Sequence, residues 1–401
     1  MNTRVVHKKW IAAMMIAAGL FLQSCDKSKV SASGSSVYSN PTAIDFTPEH
    51  LVFMLKQTYA NFNKAAPRSD INAILDAADD EAAKVAYDEA IDDFVDSGVM
   101  AERWKEYARS ALGVGSDSGG DENRFVENLF SKVVLSGDPI SDFFLSTTAV
   151  DDDGNDVTNG YMDTIPNNTK AGYATTEVWV DAYVNQFKFK AIREQIGFGL
   201  CLTFPITVPG FYEWSDDQMN ATYEEGGGIT CKNCHKHSNP MRFAWHSFQS
   251  NGNYNAGITR GNNQYQMEAS NGGGLTLEPR DATDTPVDEA EAEASMYKMT
   301  EDGPILSTPR VLAQEITKHE LFSRCMVERF LSVFLNIEEG RPGQNYVPPT
   351  NFSANEAGIA FLDEMTTKFN ELDQVPKDFF KFFLKDKRYL ILAVNPNDLG
   401  D

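Results

Sequence analysis

Residues 70–112 read DINAILDAADDEAAKVAYDEAIDDFVDSGVMAERWKEYARSAL. Apolar side chains fall at Ile71, Ile74 and Leu75, then at Tyr87, Ala90, Ile91, Phe94 and Val95, then at Met100, Trp104, Tyr107 and Ala108. Steps of three and four put each set on one helical face, so successive amphipathic helices are predicted. The pattern begins upstream. Thr47 suits an N-cap, Pro48 the first helical position, and Leu51, Met54, Leu55 and Thr58 follow at helical spacing. Downstream, Gly113–Gly120 (GVGSDSGG) is a breaker, and Phe125, Leu129, Val133 and Val134 predict one or two more helices within 124–149. Few segments alternate with period two, which excludes a large sheet.

Residues 151–171 read as a polar loop. Asp151, Asp153 and Asp156 around Gly154 faintly suggest a calcium loop, but the ligand series ending in a Glu at the twelfth position is absent. Residues 172–201 return to helix and end at Cys201, with Pro205, Pro209 and Gly210 as the stop. Residues 211–300 are rich in Gly and Asn and irregular, with a short acidic, Ala-rich helix at 281–294. One long helix is expected from Pro309 to Asn336, then a Pro/Gly-rich link at 340–349, then helices near 354–370 and 376–390.

The 401 residues are 42% apolar and include 26 Phe, enough for a sizeable core. The formal charge is −23, and no basic stretch occurs outside the first ten residues, which excludes a nucleic-acid binder. Such a surface favours basic partners. With five Cys and six His, the chain is neither a disulfide-dense scaffold nor a multi-metal protein.

Residues 1–24 have the order of an export signal: Arg4, Lys8 and Lys9 without an acid, then an apolar run from Trp10 to Leu22. That run is short for a membrane span. The ending Leu22-Gln23-Ser24-Cys25 resembles the lipobox of bacterial lipoproteins, which implies acylation of Cys25 and a lipid anchor. Asp26 resembles the inner-membrane retention signal of some Gram-negative bacteria, a rule that varies between lineages and leaves the leaflet and membrane open. Residues 25–44 read as a flexible tether.

Cys231-Lys232-Asn233-Cys234-His235 is C-x-x-C-H, the attachment motif for haem c. Two thiols three residues apart can add to the two vinyl groups on one porphyrin edge, and the adjoining imidazole then reaches the iron. For this composition the motif arises by chance in roughly one chain in a thousand. Export agrees with it, because the attachment takes place outside the cytoplasm. Three other uses compete: a zinc site with His237, crowded for four ligands within seven residues; a redox dithiol, which prefers a βαβ setting; and a Cys231–Cys234 bridge.

In the haem reading, His235 is the proximal iron ligand through Nε2. A carbonyl at or next to Pro240 is expected to hold its Nδ1–H, since that Pro is expected to leave the stretch irregular. Candidates for the sixth ligand are Met241, His246, Met267, Met296, Met299, His319 and Met326. Met241 and His237 lie too close to loop over the haem, and His319 and Met326 fall in a helical stretch. Met299 is chosen, because it precedes a helix start as the Met ligand of many small cytochromes c does. An open sixth position is the alternative. Cys201 and Cys325 are left over; in an oxidising compartment they suggest one disulfide, with two separate buried thiols as the alternative.

Cys234 to Gln249 (CHKHSNPMRFAWHSFQ), followed by Gly252 and Tyr254, resembles the haem module of planctomycete-type multi-module cytochromes c, whose modules are largely of unknown function. There the motif precedes Asp-Pro-x-Gly-Phe-Ala-x-Glu-x-Phe-Asp. Pro240, Phe243, Ala244 and Phe248 fit; Asn239, Arg242, His246 and Gln249 depart from it. Cys201 with Pro205 and Pro209, Phe322–Cys325 through Gly340-Arg341, and Asp88 to Arg109 are similar to the family's other segments. The resemblance supports the Cys201–Cys325 disulfide and supplies no substrate.

The expected fold class is mainly α. Residues 45–150 form a helical domain, 172–342 a loop-rich, helical cytochrome c-like domain carrying one covalent haem c, and 343–401 C-terminal helices. The expected function is one-electron transfer by a lipid-anchored protein of the cell envelope, facing periplasm or exterior, with a basic or membrane-bound redox partner. The alternatives are a haem enzyme of peroxidase-like or oxidoreductase-subunit type and a haem-stabilised surface assembly protein.

Overall fold

Helix α1 (Pro48–Asn61) starts where the sequence puts it: Thr47 is extended and its Oγ1 accepts the His50 N–H at 3.4 Å. The computed structural model describes residues 46–114, 124–157, 160–184, 188–216, 229–245, 247–248, 253–255, 297–335, 356–386 and 388–389. Residues 1–24, Cys25 and the tether therefore lie outside the described residues, as do the segments at 281–294 and 340–349. No described helix is long and apolar enough to cross a membrane.

The stretch 70–112 forms α2 (Arg68–Leu75), α3 (Asp80–Asp96) and α4 (Ala101–Leu112). Asp79 caps α3 by accepting the Ala82 N–H at 2.8 Å. Gly113 ends α4 at φ +61°, and a Cβ there would stand 2.7 Å from the Tyr183 hydroxyl, so both backbone and space require glycine. Next come α5 (Phe125–Ser136) and α6 (Ser141–Leu145), the two helices allowed for within 124–149.

The start of the polar loop is closed by a two-stranded antiparallel pair, β1 (Ala149–Val150) just before it with β2 (Asp156–Val157). Asp151 closes its turn by accepting the N–H groups of Asp153 and Asn155 at 3.0 and 2.8 Å, the role of an Asx turn. A short helix α7 (Gly160–Asp163) follows. Residues 172–200 are not one helix: a 3-10 turn at Gly172–Thr175 leads into α8 (Glu177–Tyr183) and α9 (Lys188–Leu200). Gly172, at φ +48°, lies where a Cβ would meet the Phe143 carbonyl oxygen at 2.0 Å.

Helix α10 (Ile229–Arg242) carries the C-x-x-C-H motif. The single helix expected at 309–336 is two, α11 (Pro309–Lys318) and α12 (Glu320–Phe334). His319 separates them with extended backbone (ψ 140°), and its Nδ1 accepts the Leu321 N–H at 3.2 Å, capping α12. Helices α13 (Glu356–Glu371) and α14 (Pro376–Lys385) match the two expected at the C-terminus. Of the described residues 66% are helical and the only sheet has two strands, so the chain is mainly α.

The core crosses the borders placed at 150 and 342. Trp104 of α4 stacks on Phe380 of α14 (centroids 5.1 Å, interplanar 11°) and meets Phe330 and Phe334 of α12 edge-on. The Tyr87 hydroxyl donates to the Leu384 carbonyl at 2.8 Å. Lys377 and Lys381 pair with Asp96, and Lys385 with Asp92. Helices this short cannot each bury an aromatic face alone, and they bury these faces on one another.

Candidate functional site

Helix α10 carries Cys231, Cys234 and His235, positions i, i+3 and i+4. The Cys231 side chain lies outside the described residues; Cys234 and His235 are half-buried. The His235 ring stacks on Phe189 of α9 (centroids 5.1 Å, interplanar 17°). His235 Nδ1 lies 3.2 Å from Asn239 Oδ1, and Arg242 Nη1 donates to the same oxygen at 3.3 Å. Asn239 is only 4% exposed, so its carbonyl is held in place.

Burial lowers the His235 pKa below that of an ordinary imidazole; the Asn239 hydrogen bond raises it, and the nearby Arg242 charge lowers it further. A neutral imidazole facing an amide oxygen carries its proton on Nδ1, which puts the lone pair on Nε2. This is the tautomer a metal takes. The residues present fit haem c: Cys231 and Cys234 would attach it and His235 would ligate its iron.

Zinc fits less well. His237 lies about 200° around the helix from His235, so the two imidazoles diverge. Its Nε2 is 3.6 Å from Glu213 Oε2, and Glu213 also pairs with Lys236. Among the described residues no group of three His, Cys, Asp or Glu is arranged to hold a metal ion.

Pro240 does not make its surroundings irregular. It sits inside α10, and the helix continues to Arg242. Having no N–H, it leaves the Lys236 carbonyl without its helical donor, and the Trp214 N–H takes that position at 2.9 Å. Helical carbonyls run along the axis, whereas the side chain one turn on stands over the ring. The partner of His235 Nδ1 is thus the Asn239 side chain, where a carbonyl near Pro240 was expected.

The carbonyl freed by Pro240 ties α10 to the segment expected to bear the sixth ligand. Trp214 N–H binds Lys236, Tyr212 N–H donates to the Met299 carbonyl at 2.9 Å, and Phe211 forms a β-bridge with Thr300. Tyr297 stacks on Phe243 just beyond α10 (centroids 4.4 Å). Met299 itself is buried, at 1% exposure. Among the other candidates, Met241 and Met326 are buried and His319 caps α12. Met267, Met296 and His246 lie outside the described residues. An open groove of about 730 Å³ runs beside α10, lined by Tyr212, Glu213, Trp214, Ser215, Asp216 and Lys236.

Cys201 and Cys325 form a disulfide, with Cα atoms 5.3 Å apart, joining the residue after α9 to α12. Asn239, Phe189 and Glu213 escaped the sequence reading. Asn239 had a local signal, one helical turn beyond His235. Phe189 and Glu213 reach the site from distant segments and had none. No family model matches the chain, and neither does a curated protein or a solved structure.

Proposed function

We infer that the chain is an extracytoplasmic monohaem c-type cytochrome, lipid-anchored through Cys25, that transfers single electrons. The observation that carries this reading is the C-x-x-C-H motif on α10, with His235 held as the Nε2-lone-pair tautomer by Asn239. Bound haem would supply an iron that cycles between two oxidation states. Cys231 and Cys234 would fix its edge, and His235 would hold the metal from one side. Met299 would supply the second protein ligand of the iron; its buried position on a segment tied to α10 through residues 211–214 supports this. Phe189 would shield the imidazole from water and limit its rotation.

The negative surface supports a basic redox partner, met in brief, salt-sensitive encounters. Reduction by a cationic donor should slow as ionic strength rises; insensitivity to salt would remove that partner assignment. The resemblance of residues 234–254 to planctomycete-type cytochromes c agrees with this function.

The decisive test is expression in cells competent for cytochrome maturation, followed by a pyridine haemochrome spectrum and intact mass. One haem attached through two thioethers is expected, lost in Cys231→Ala/Cys234→Ala. A colourless protein at the mass of the acylated polypeptide would end the proposal. Low-spin iron with a reversible voltammetric wave agrees with electron transfer. High-spin iron that readily binds cyanide or CO would favour the enzyme reading.

A further inference from the structure

The acceptor for His235 Nδ1 is a neutral side-chain amide, and that amide oxygen is shared with a cation. Asn239 Oδ1 faces His235 Nδ1 at 3.2 Å and receives Arg242 Nη1 at 3.3 Å. An oxygen that accepts from a guanidinium gives up electron density to it and is a poorer acceptor for a second donor. The imidazole opposite such an oxygen keeps its proton firmly on Nδ1 and gains little anionic character. A ligand of low basicity stabilises the more positive oxidation state of a metal less.

We propose that Asn239 and Arg242 act as positioning residues: Asn239 fixes the His235 tautomer, and Arg242, by sharing the Asn239 oxygen, keeps the reduction potential of the centre above the value an unshared acceptor would give. The proposal rests on the haem reading of this site. All three residues lie within two turns of α10, where spacings of three and four align their side chains. Asn239 is buried, whereas Arg242 is only partly so, which makes the arginine the accessible member for substitution.

The test uses the matured holoprotein and three variants, read by voltammetry and by proton NMR of the Nδ1–H. Arg242→Met removes the competing donor and should lower the potential while leaving the Nδ1 proton protected from exchange. Asn239→Asp supplies a stronger acceptor and should lower it further. Asn239→Leu removes the acceptor and should raise the potential and speed exchange of that proton. The expected order, from lowest potential, is Asn239→Asp, Arg242→Met, parent, Asn239→Leu.

Should Asn239→Leu fail to fold, the other two variants still decide. Haem-loaded variants that keep the parent potential and exchange rate would overturn this role while leaving the haem assignment intact. A parent without covalent haem would overturn both.

Discussion

His319 does two jobs with one imidazole. Its extended backbone turns the chain between α11 and α12, and its Nδ1 accepts the Leu321 N–H in the first turn of α12 at 3.2 Å. A ring that accepts at Nδ1 must be neutral there. Burial lowers its pKa, and this outweighs the opposing pull of Glu320 and Glu315. The ring also packs on Phe211, beside the bridge to Thr300 (centroids 4.9 Å). The sign of the pH effect follows. Stability is complete above the unfolded imidazole's pKa of about 6.5 and is lost as pH falls toward the depressed folded value, because the unfolded chain takes up the proton first. His319→Asn keeps a capping acceptor without a titrating ring. Urea midpoints at pH 7.5 and 5.5 should therefore lie closer together in the variant than in the parent; an unchanged gap would assign the pH effect elsewhere. At the same scale, Arg242 Nη1 donates to the buried Asn239 Oδ1, so the two side chains hold each other.

At the scale of elements, the end of α9 is held from outside itself. A helix leaves its last carbonyls without intrahelical donors. Here the buried guanidinium of Arg329 on α12 supplies them, donating to the Gly197 carbonyl at 2.8 Å and the Phe198 carbonyl at 2.9 Å while lying over the Phe198 ring. Positive charge at a helix C-terminus also opposes the negative end of the dipole. Arg329→Met fills similar space but leaves these carbonyls unsatisfied, and should cost about 1–3 kcal/mol in equilibrium unfolding. A loss near zero would show that other donors replace the guanidinium. The Cys201–Cys325 bridge closes the same junction covalently, across a sequence separation of 124. Its removal as Cys201→Ser/Cys325→Ser should cost about 2–5 kcal/mol, and reductant should lower the melting temperature of the parent but not of the variant. Because α9 presents Phe189 to His235, loosening this junction should also broaden the His235 ring resonances by NMR.

For the whole molecule, one aromatic core joins segments that are far apart in sequence. Trp104, Phe330, Phe334 and Phe380 meet at centroid distances of 5.0–5.8 Å, drawing together α4, α12 and α14. A chain ended at residue 342 would lose the ring stacked on Trp104, the acceptor of the Tyr87 hydroxyl and the lysines paired with Asp92 and Asp96. Limited proteolysis of that truncation should cut within 46–112, which the full chain should protect. Equal protection in both would show that residues 45–150 do not depend on α13 and α14.

The contrast between local and distant information runs through the molecule. Helices α1 to α4 could be read from the chain because their causes lie within a few residues: apolar steps of three and four, the caps Thr47 and Asp79, and the breaker Gly113. The C-x-x-C-H motif is visible for the same reason, since it spans five consecutive positions. The break at His319 could not, because apolar residues continue at helical spacing on both sides of it and the ring packs on Phe211 from a distant segment. Nor could the fate of the carbonyl opposite Pro240: missing helical donors are a local fact, but the Trp214 N–H that answers comes from another segment. Local propensity specified helices α1 to α4 but not the helix of the motif, which lies in a stretch that reads as irregular. The shared core, the tie between Met299 and the motif helix, and the ring against His235 were decided by packing, because burial selects partners by shape and satisfied hydrogen bonds over distances no sequence period encodes.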